Sequence, residues 1–354
     1  MENITRIFLF FLLIICSSCS SLYRFSVDVQ EPALITLPVS AQNVLILNNT
    51  VAQPVDYGIE RNFNGQSIPA DYPLSLDSVS WSAIKEIAIV LDESNFFNSI
   101  AIYDELLRKD TQWLTSAYLS QEKLYDFFDN KNFDALFVVE RLLINAKEDA
   151  KTIQSGAPPS EPNIFIDMRV EGVITCSMYT YGKERPLTTF NVTDSFYIKT
   201  TSYNDSIIIF KEIPEFTFHS LCHMLGEKAA KSFVPTWKTE ERNLFVSYNS
   251  RMQEAVGYAA NRRWANAESI WITELEKNTK PLNKAKIAFN LAVANEMQDK
   301  FEPALEWALK AKEYLKNSNK SNDNQEIELT DKYIAELERR IQSNRLLDLQ
   351  WGTE

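Results

Sequence analysis

The stretch His219-Ser220-Leu221-Cys222-His223 holds the chain's only two histidines, with a cysteine just before the second. Four residues apart on a helix, the two imidazoles share one face, with the thiol close by. Imidazole nitrogen and thiolate sulfur are ligands that zinc accepts, so His219, His223 and Cys222 form a weak metal candidate. A zinc-protease helix carries Glu directly after its first histidine as general base. Here that position is Ser220, and no further ligand is identifiable. The competing reading is structural. Both histidines border Gly226 and Ala230, a strip of small residues suited to close packing against a sheet.

Other chemistries are poorly supplied. Of the eight glycines, the closest pair is Gly58 and Gly65, too far apart for a phosphate-binding loop or a dinucleotide turn. No Gly-x-Ser-x-Gly elbow is present. A serine or cysteine nucleophile also needs a base, and imidazoles are scarce. The expectation is a non-enzymatic protein that needs no cofactor. A formal charge of −12 argues against nucleic acid, whose phosphates call for a basic patch. It argues equally against peripheral binding to anionic lipid.

Hydrophobic period places the elements around the histidines. Val44 to Leu47 is a short continuous apolar run, as in a strand buried on both faces. Thr50 to Leu76 is rich in Pro, Gly, Asn and Asp and reads as a long loop. Asp77 can cap a helix carrying Val79, Ala83, Ile84, Ile87, Ala88 and Leu91. Strands follow at Ser99 to Tyr103 and Ala135 to Val139, around a helical face with Leu124, Phe127 and Phe128. That order predicts right-handed crossovers and a parallel sheet. Lys147 to Pro162 reads as a solvated loop. Strict alternation then runs from Ile166 to Met178, giving one apolar and one wet face. After a turn at Tyr181 to Glu184, Phe190 to Lys199 and Ile207 to Phe210 extend the sheet edge in antiparallel fashion. Phe218 to Phe233 is the closing helix. Cys176 and Cys222 are either a disulfide, which an exported compartment permits, or two separate buried thiols.

Near the amino terminus Ile7 to Ile15 is wholly apolar, behind Arg6. A bilayer crossing needs about 20 such residues, so the run reads as the core of a secretory signal. It ends in Cys16-Ser17-Ser18-Cys19, a cysteine preceded by small residues. That resembles the lipobox of bacterial lipoproteins, and the resemblance implies cleavage before Cys19 and lipid attached to it. A simple cleaved signal is the alternative. The expected domains are a signal peptide (1–18), a lipidated tether with one extended piece (19–40), an α/β domain (41–237) and a helical domain (240–354).

Up to Trp237 the element order resembles the periplasmic α/β domain shared by the amino-terminal part of TolB and the curli-secretion lipoproteins. From Glu240 the chain is nearly free of Gly and Pro. Trp264-Ala265-Asn266-Ala267-Glu268 with Trp271 recurs as Phe301-Glu302-Pro303-Ala304-Leu305 with Ala308, displaced by 37 residues (267 to 304). This resembles the second-helix signature of tetratricopeptide repeats, whose period is about 34. Leu291 and Ala292 match the first-helix positions, whereas Glu254 departs from the pattern in the earlier copy. Glu326 to Leu347 can be the terminal helix. A generic helical bundle is the alternative. The resemblance implies that a first helix lines a concave face, nominating Lys286, Phe289, Asn290, Val293 and Met297 for partner binding. Phe289 and Val293 read equally well as inter-helix core.

As a whole the arrangement resembles a lipoprotein family of Bacteroidota, which implies a lipid anchor in the outer membrane. Ser20 to Arg24 lacks the acidic residues that mark surface export in that group, so a periplasm-facing protein is expected. Asp77-Ser78-Val79 and Asp205-Ser206-Ile207 resemble the O-glycosylation tripeptide of Bacteroides, with Ser78 and Ser206 as acceptors; helix capping competes at Asp77. The function expected is an envelope adaptor or scaffold that binds a protein partner, with no nucleic acid and no identified small-molecule substrate. The alternatives are a metal-dependent periplasmic protein built on His219 and His223, or a subunit of an outer-membrane secretion or assembly machine.

Overall fold

The structure, a computed structural model, describes residues 22–54, 57–68, 76–152, 164–202, 215–246, 249–318 and 324–353. Cys19, Ser206 and the strand expected at Ile207 to Phe210 lie outside them. The chain forms two compact units, Pro32–Thr236 with Leu349–Glu354, and Met1–Glu31 with Trp237–Asp348.

The first unit is a mixed α/β layer structure. Its parallel centre is β2 (Asn43–Asn48), flanked by β5 (Ser99–Leu106) and β6 (Ala135–Thr152). Strand β2 is apolar on both faces because both are covered. Val44 and Ile46 face a core shared with α1 (Leu76–Glu93) and α3 (Glu215–Lys231). Leu45 and Leu47 face a second core with Leu124, Phe127 and Phe128, carried by the short α2 (Gln121–Tyr125) and the π turn after it. Strands β7 (Ile164–Thr180) and β8 (Thr188–Ser202) add the expected antiparallel edge.

Two expected loops contain strand in their described parts. Strand β6 runs on to Thr152, through the start of the segment expected to be a solvated loop. Within the loop expected at Thr50 to Leu76, β3 (Ile59–Phe63) pairs in parallel with the far half of β6, and β4 (Gln66–Ser67) closes a hairpin on it. Period-based reasoning misses both because Lys147, Glu148 and Asp149 are polar, and strand pairing, not apolar alternation, holds them. Between the β2 and β3 ladders Gln53 completes the edge. Its side-chain amide accepts from the Ile144 N–H at 2.9 Å and donates to the Ile144 carbonyl at 2.8 Å. Gly58 has φ +75°, and a Cβ there would lie 2.8 Å from that same carbonyl, so only glycine suits the turn. Asp77 lies inside α1, whose first residue is Leu76, so it does not occupy the cap position.

Among the described residues the second unit contains β1 (Leu22–Glu31) and β9 (Thr236–Phe245), which pair as a two-stranded sheet, and five helices. These are α4 (Ser250–Ala260), α5 (Trp264–Lys277), α6 (Pro281–Glu296), α7 (Phe301–Lys316) and α8 (Asn324–Trp351). The opening of the expected helical domain is therefore strand, not helix. The extended piece in the expected tether is β1, and it is part of this unit. The 37-residue sequence repeat is also a backbone repeat. Arg262 and Asp299 both take left-handed φ, +58° and +57°, and each precedes the residue leading into α5 or α7. Arg263 N–H donates to the Tyr258 carbonyl as Lys300 N–H does to that of Asn295. Ala267, Ala304, Trp271 and Ala308 are all fully buried.

Candidate functional site

The two histidines meet a matching pair on α1. His219 Nδ1 lies 2.6 Å from Ser82 Oγ, and His223 Nδ1 lies 2.8 Å from Glu86 Oε2. Both sets are spaced by four residues, so adjacent turns of α3 face adjacent turns of α1. The strip of small residues between them packs against this helix, not against the sheet as expected. A Cβ on Gly226 would sit 2.6 Å from the Ala83 carbonyl oxygen. Cys222 is fully buried among apolar side chains, and burial pushes its thiol up to about 12. His223, by contrast, is exposed. The structure thus does not bring His219, His223 and Cys222 together as one ligand set. No group of three or more His, Cys, Asp or Glu among the described residues is arranged to hold a metal ion. Cys176 and Cys222 are both free and buried, and burial raises the Cys176 thiol well above the usual range.

The expected partner-binding face of α6 is largely inside the helical unit. Phe289 packs edge-on to Phe245 of β9 and tilted against Tyr333 of α8, with ring centroids 5.1 and 5.0 Å away. Val293 and Asn290 are fully buried. Lys286 is half-buried, paired with Glu326 at 3.1 Å and placed over the Phe245 ring. Of the five nominated residues, Met297 lines an open groove beside β1, and Phe289 borders a second one between β9 and α8. Phe289, Asn290 and Val293 are core residues for a physical reason that the repeat resemblance omits: β9 and α8 cover the face.

Sequence reasoning also missed a buried charge network beneath them. Arg242 of β9 donates to Glu296 of α6 through Nε at 2.8 Å and Nη2 at 2.8 Å, and Tyr333 donates to the same carboxylate at 2.7 Å. Glu240 and Glu336 complete the surround of Arg242. Burial, reinforced by the Glu296 charge, raises the Tyr333 phenol well above its usual range. Such pairing is what makes buried charge tolerable. The available signal was Pro235 followed by Thr236, Trp237 and Thr239, residues that favour a strand over a helix.

What this unit leaves open is a groove of about 520 Å³ lined chiefly by Tyr23, Phe25, Asp28, Arg262, Trp264 and Met297. Phe25 packs on Trp264 with ring centroids 5.5 Å apart. The β1 residues from Phe25 to Asp28 line it consecutively. Successive side chains of a strand point to opposite faces, so consecutive lining places the groove along the strand's edge.

Residues 41–245 match the family described as a domain of unknown function, DUF8603, over more than half of the 354 residues. The chain belongs to that family. Residues 253–339 match a second family, also described as a domain of unknown function, DUF6340. The DUF8603 match ends with β9, and the DUF6340 match begins within α4. No curated protein matches the chain. Among solved structures, it is similar to a neuraminyllactose-binding hemagglutinin homolog from Helicobacter pylori at 10% identity, covering 56% of this chain and 91% of that one, with a TM-score of 0.23. It is also similar to protein XCC0632 from Xanthomonas campestris, of family DUF330, at 9% identity, covering 55% and 84%, with a TM-score of 0.23.

Proposed function

We propose that this chain is a lipid-anchored envelope protein that acts as a non-enzymatic adaptor, its helical unit taking up an extended segment of a protein partner. The groove along β1 is the observation that carries this reading. Among the described residues β1 pairs with β9 alone, so its other edge offers backbone donors and acceptors. An extended peptide can add there as a further strand, with side-chain pockets beside it supplying specificity. Tyr23, Phe25 and Trp264 are the apolar anchors, and Asp28 and Arg262 are the charged groups at the rim. The binding set therefore moves from the buried α6 positions to these residues, keeping Met297.

The finer likenesses belong to the same proposal. The repeated turn at Arg262 and Asp299 favours a tetratricopeptide-like relation for the helical unit. The parallel centre with an antiparallel edge favours the TolB and curli-secretion type for the other. The anchor is Cys19, and the site of action is the periplasmic face of the outer membrane.

Cross-linking in intact cells, with recovery through a carboxy-terminal tag, tests the reading. We expect a reproducible envelope partner, lost on substituting Arg262→Glu and Tyr23→Ser and retained on substituting Lys286→Gln. Circular dichroism confirms that the variants fold. Partners indifferent to the groove substitutions overturn the adaptor assignment. Cys19→Ala should release the protein from the membrane fraction, and continued membrane association would overturn the anchor.

A further inference from the structure

The α/β unit carries a second concavity, distinct from the groove of the helical unit. It is an open bay of about 850 Å³, within the usual size range of small-ligand pockets. It lies outside the carboxyl ends of β2 and β5. Its walls are Thr50 to Ala52 with Pro54, which leave β2, and Arg108 to Thr111 with Trp113, which leave β5, and Trp81 of α1 closes one side. The chain leaves β2 towards β3 at one end of β6, and leaves β5 to cross back over β2. Diverging connections at the carboxyl ends of parallel strands are where open α/β sheets bind ligands.

The polar groups there are sorted by the backbone. From Ile46 to Asn48 on β2, the partner strand advances from Ile102 to Leu106, so β5 carries two extra residues in that interval. This irregularity breaks the alternation and turns the adjacent Asp104 and Glu105 into one bay. Two cations share the bay: Lys109, which is exposed and in no ion pair among the described residues, and Arg108. Arg108 is fully engaged, donating through Nε and Nη2 to Asp110 at 2.9 and 2.7 Å, through Nη2 to the Gln112 carbonyl, and through Nη1 to the Thr115 carbonyl. It braces the loop and neutralises Asp110. Asp104 and Glu105 make no ion pair among the described residues, and both are exposed. Two indoles line the same bay, and Trp113 is fixed edge-on to Tyr57 with centroids 4.4 Å apart. The floor is held from beneath, since Thr50 Oγ1 donates to Asn48 Oδ1 and Asn48 Nδ2 to Ser80 Oγ.

With Arg108 spent on Asp110 and its own loop, Asp104 and Glu105 outnumber the remaining Lys109. Aromatic faces beside that net negative charge select a cation, because the ring quadrupole and the carboxylates attract it together. We infer that this bay binds a small organic cation of the alkylammonium class, with Trp81 and Trp113 as aromatic walls and Asp104 and Glu105 as counter-charges. The formal charge of −12 on the chain favours the same sign of ligand.

Isothermal titration of the detergent-solubilised full chain with choline, and with its uncharged isostere 3,3-dimethylbutan-1-ol, tests this. Choline should bind saturably and at least about tenfold more tightly than the isostere, the ratio that one cation–π contact with a carboxylate supplies. Asp104→Asn with Glu105→Gln should weaken choline by about the same factor. Both side chains are exposed, so folding is preserved, and thermal unfolding verifies it. Trp113→Leu is the independent second variant and should weaken choline too. Equal binding of choline and the isostere, no binding of either, or choline binding untouched by all these substitutions overturns the inference. Because the bay and the β1 groove share no residue, partner capture by the groove stays intact in the bay variants whichever result is obtained.

Discussion

Asn290 and Phe245 pair as two strand residues would, although one of them is on a helix. The Asn290 Oδ1 accepts from the Phe245 N–H at 2.7 Å, and its Nδ2 donates to the Phe245 carbonyl at 2.9 Å. A single amide side chain thus satisfies both backbone groups at the end of β9 in the middle of the core. Gln53 does the same for Ile144 in the other unit. Buried backbone groups have to be paired, and where no neighbouring strand reaches them a side-chain amide is the nearest chemical equivalent.

Asn290→Ala should therefore be severe in stability and neutral in recognition. Two buried backbone groups lose their partners at about 1–3 kcal/mol each, so urea unfolding should shift by about 2–6 kcal/mol. Partner capture by the fraction that remains folded should be unchanged. A mild shift in the urea midpoint would refute the pairing role.

Acid should loosen the helical unit through Glu240. Burial acts to raise its carboxyl but is outweighed by hydrogen bonding with Glu336, Lys238 and Arg242, and the carboxyl is held down from 4.5 to about 2. A depressed folded value means stability that is present above the ordinary value and lost as pH falls towards about 2. Unfolding free energy measured from pH 6 to pH 2 should decline over that window, and Glu240→Gln should flatten the decline.

Glu140 should behave in the opposite way. It is buried in β6 at the irregularity between Val139 and Arg141, and Asn49 Nδ2 donates to it at 2.6 Å. Burial raises its carboxyl above 4.5 despite that hydrogen bond. A raised carboxyl costs stability once pH climbs through the folded value and the group ionises. Glu140→Gln keeps an acceptor for Asn49 and removes the charge. Its Tm should exceed that of the parent at pH 7, with the gap closing as pH falls through the raised folded value towards 4.5. A Tm below the parent at pH 7 would count against this account.

Two glycine substitutions should have opposite signs. At Gly226 a methyl group would press on the Ala83 carbonyl at 2.6 Å, forcing α1 and α3 apart. Overpacking of that kind costs about 1–3 kcal/mol. At Gly257 in α4 nothing lies within 4 Å of the new Cβ, so alanine should stabilise by about 0.5–1 kcal/mol through helix propensity. Thermal unfolding of Gly226→Ala and Gly257→Ala, measured side by side, checks the pair.

Local pattern was enough for the elements whose burial is written in their own period. Val44 to Leu47 and Ala135 to Val139 read as strands covered on both faces, and the copies at Trp264 and Phe301 as equivalent helix starts; Ile166 to Met178 reads as a one-sided strand, which holds only as far as Ile174, because Thr175 and Ser177 of the expected wet face are buried too. All of these follow from side chains that meet water or core at fixed spacing. The composition change after Trp237 likewise coincides with a boundary between the two units.

Tertiary structure alone decided the rest, because the deciding partners are remote in sequence. Strand β3 exists because the far half of β6 offers it a ladder, and Asn290 is core because β9 and α8 cover α6. The small strip at Gly226 faces α1 because Ser82 and Glu86 stand opposite His219 and His223. The bay is net acidic because an irregularity turns Asp104 and Glu105 to the same side while Arg108 is consumed by its own loop, leaving two carboxylates against Lys109. Periodicity reports how a segment meets solvent, but not which segment covers it, and that choice rests on pairings made across the whole unit.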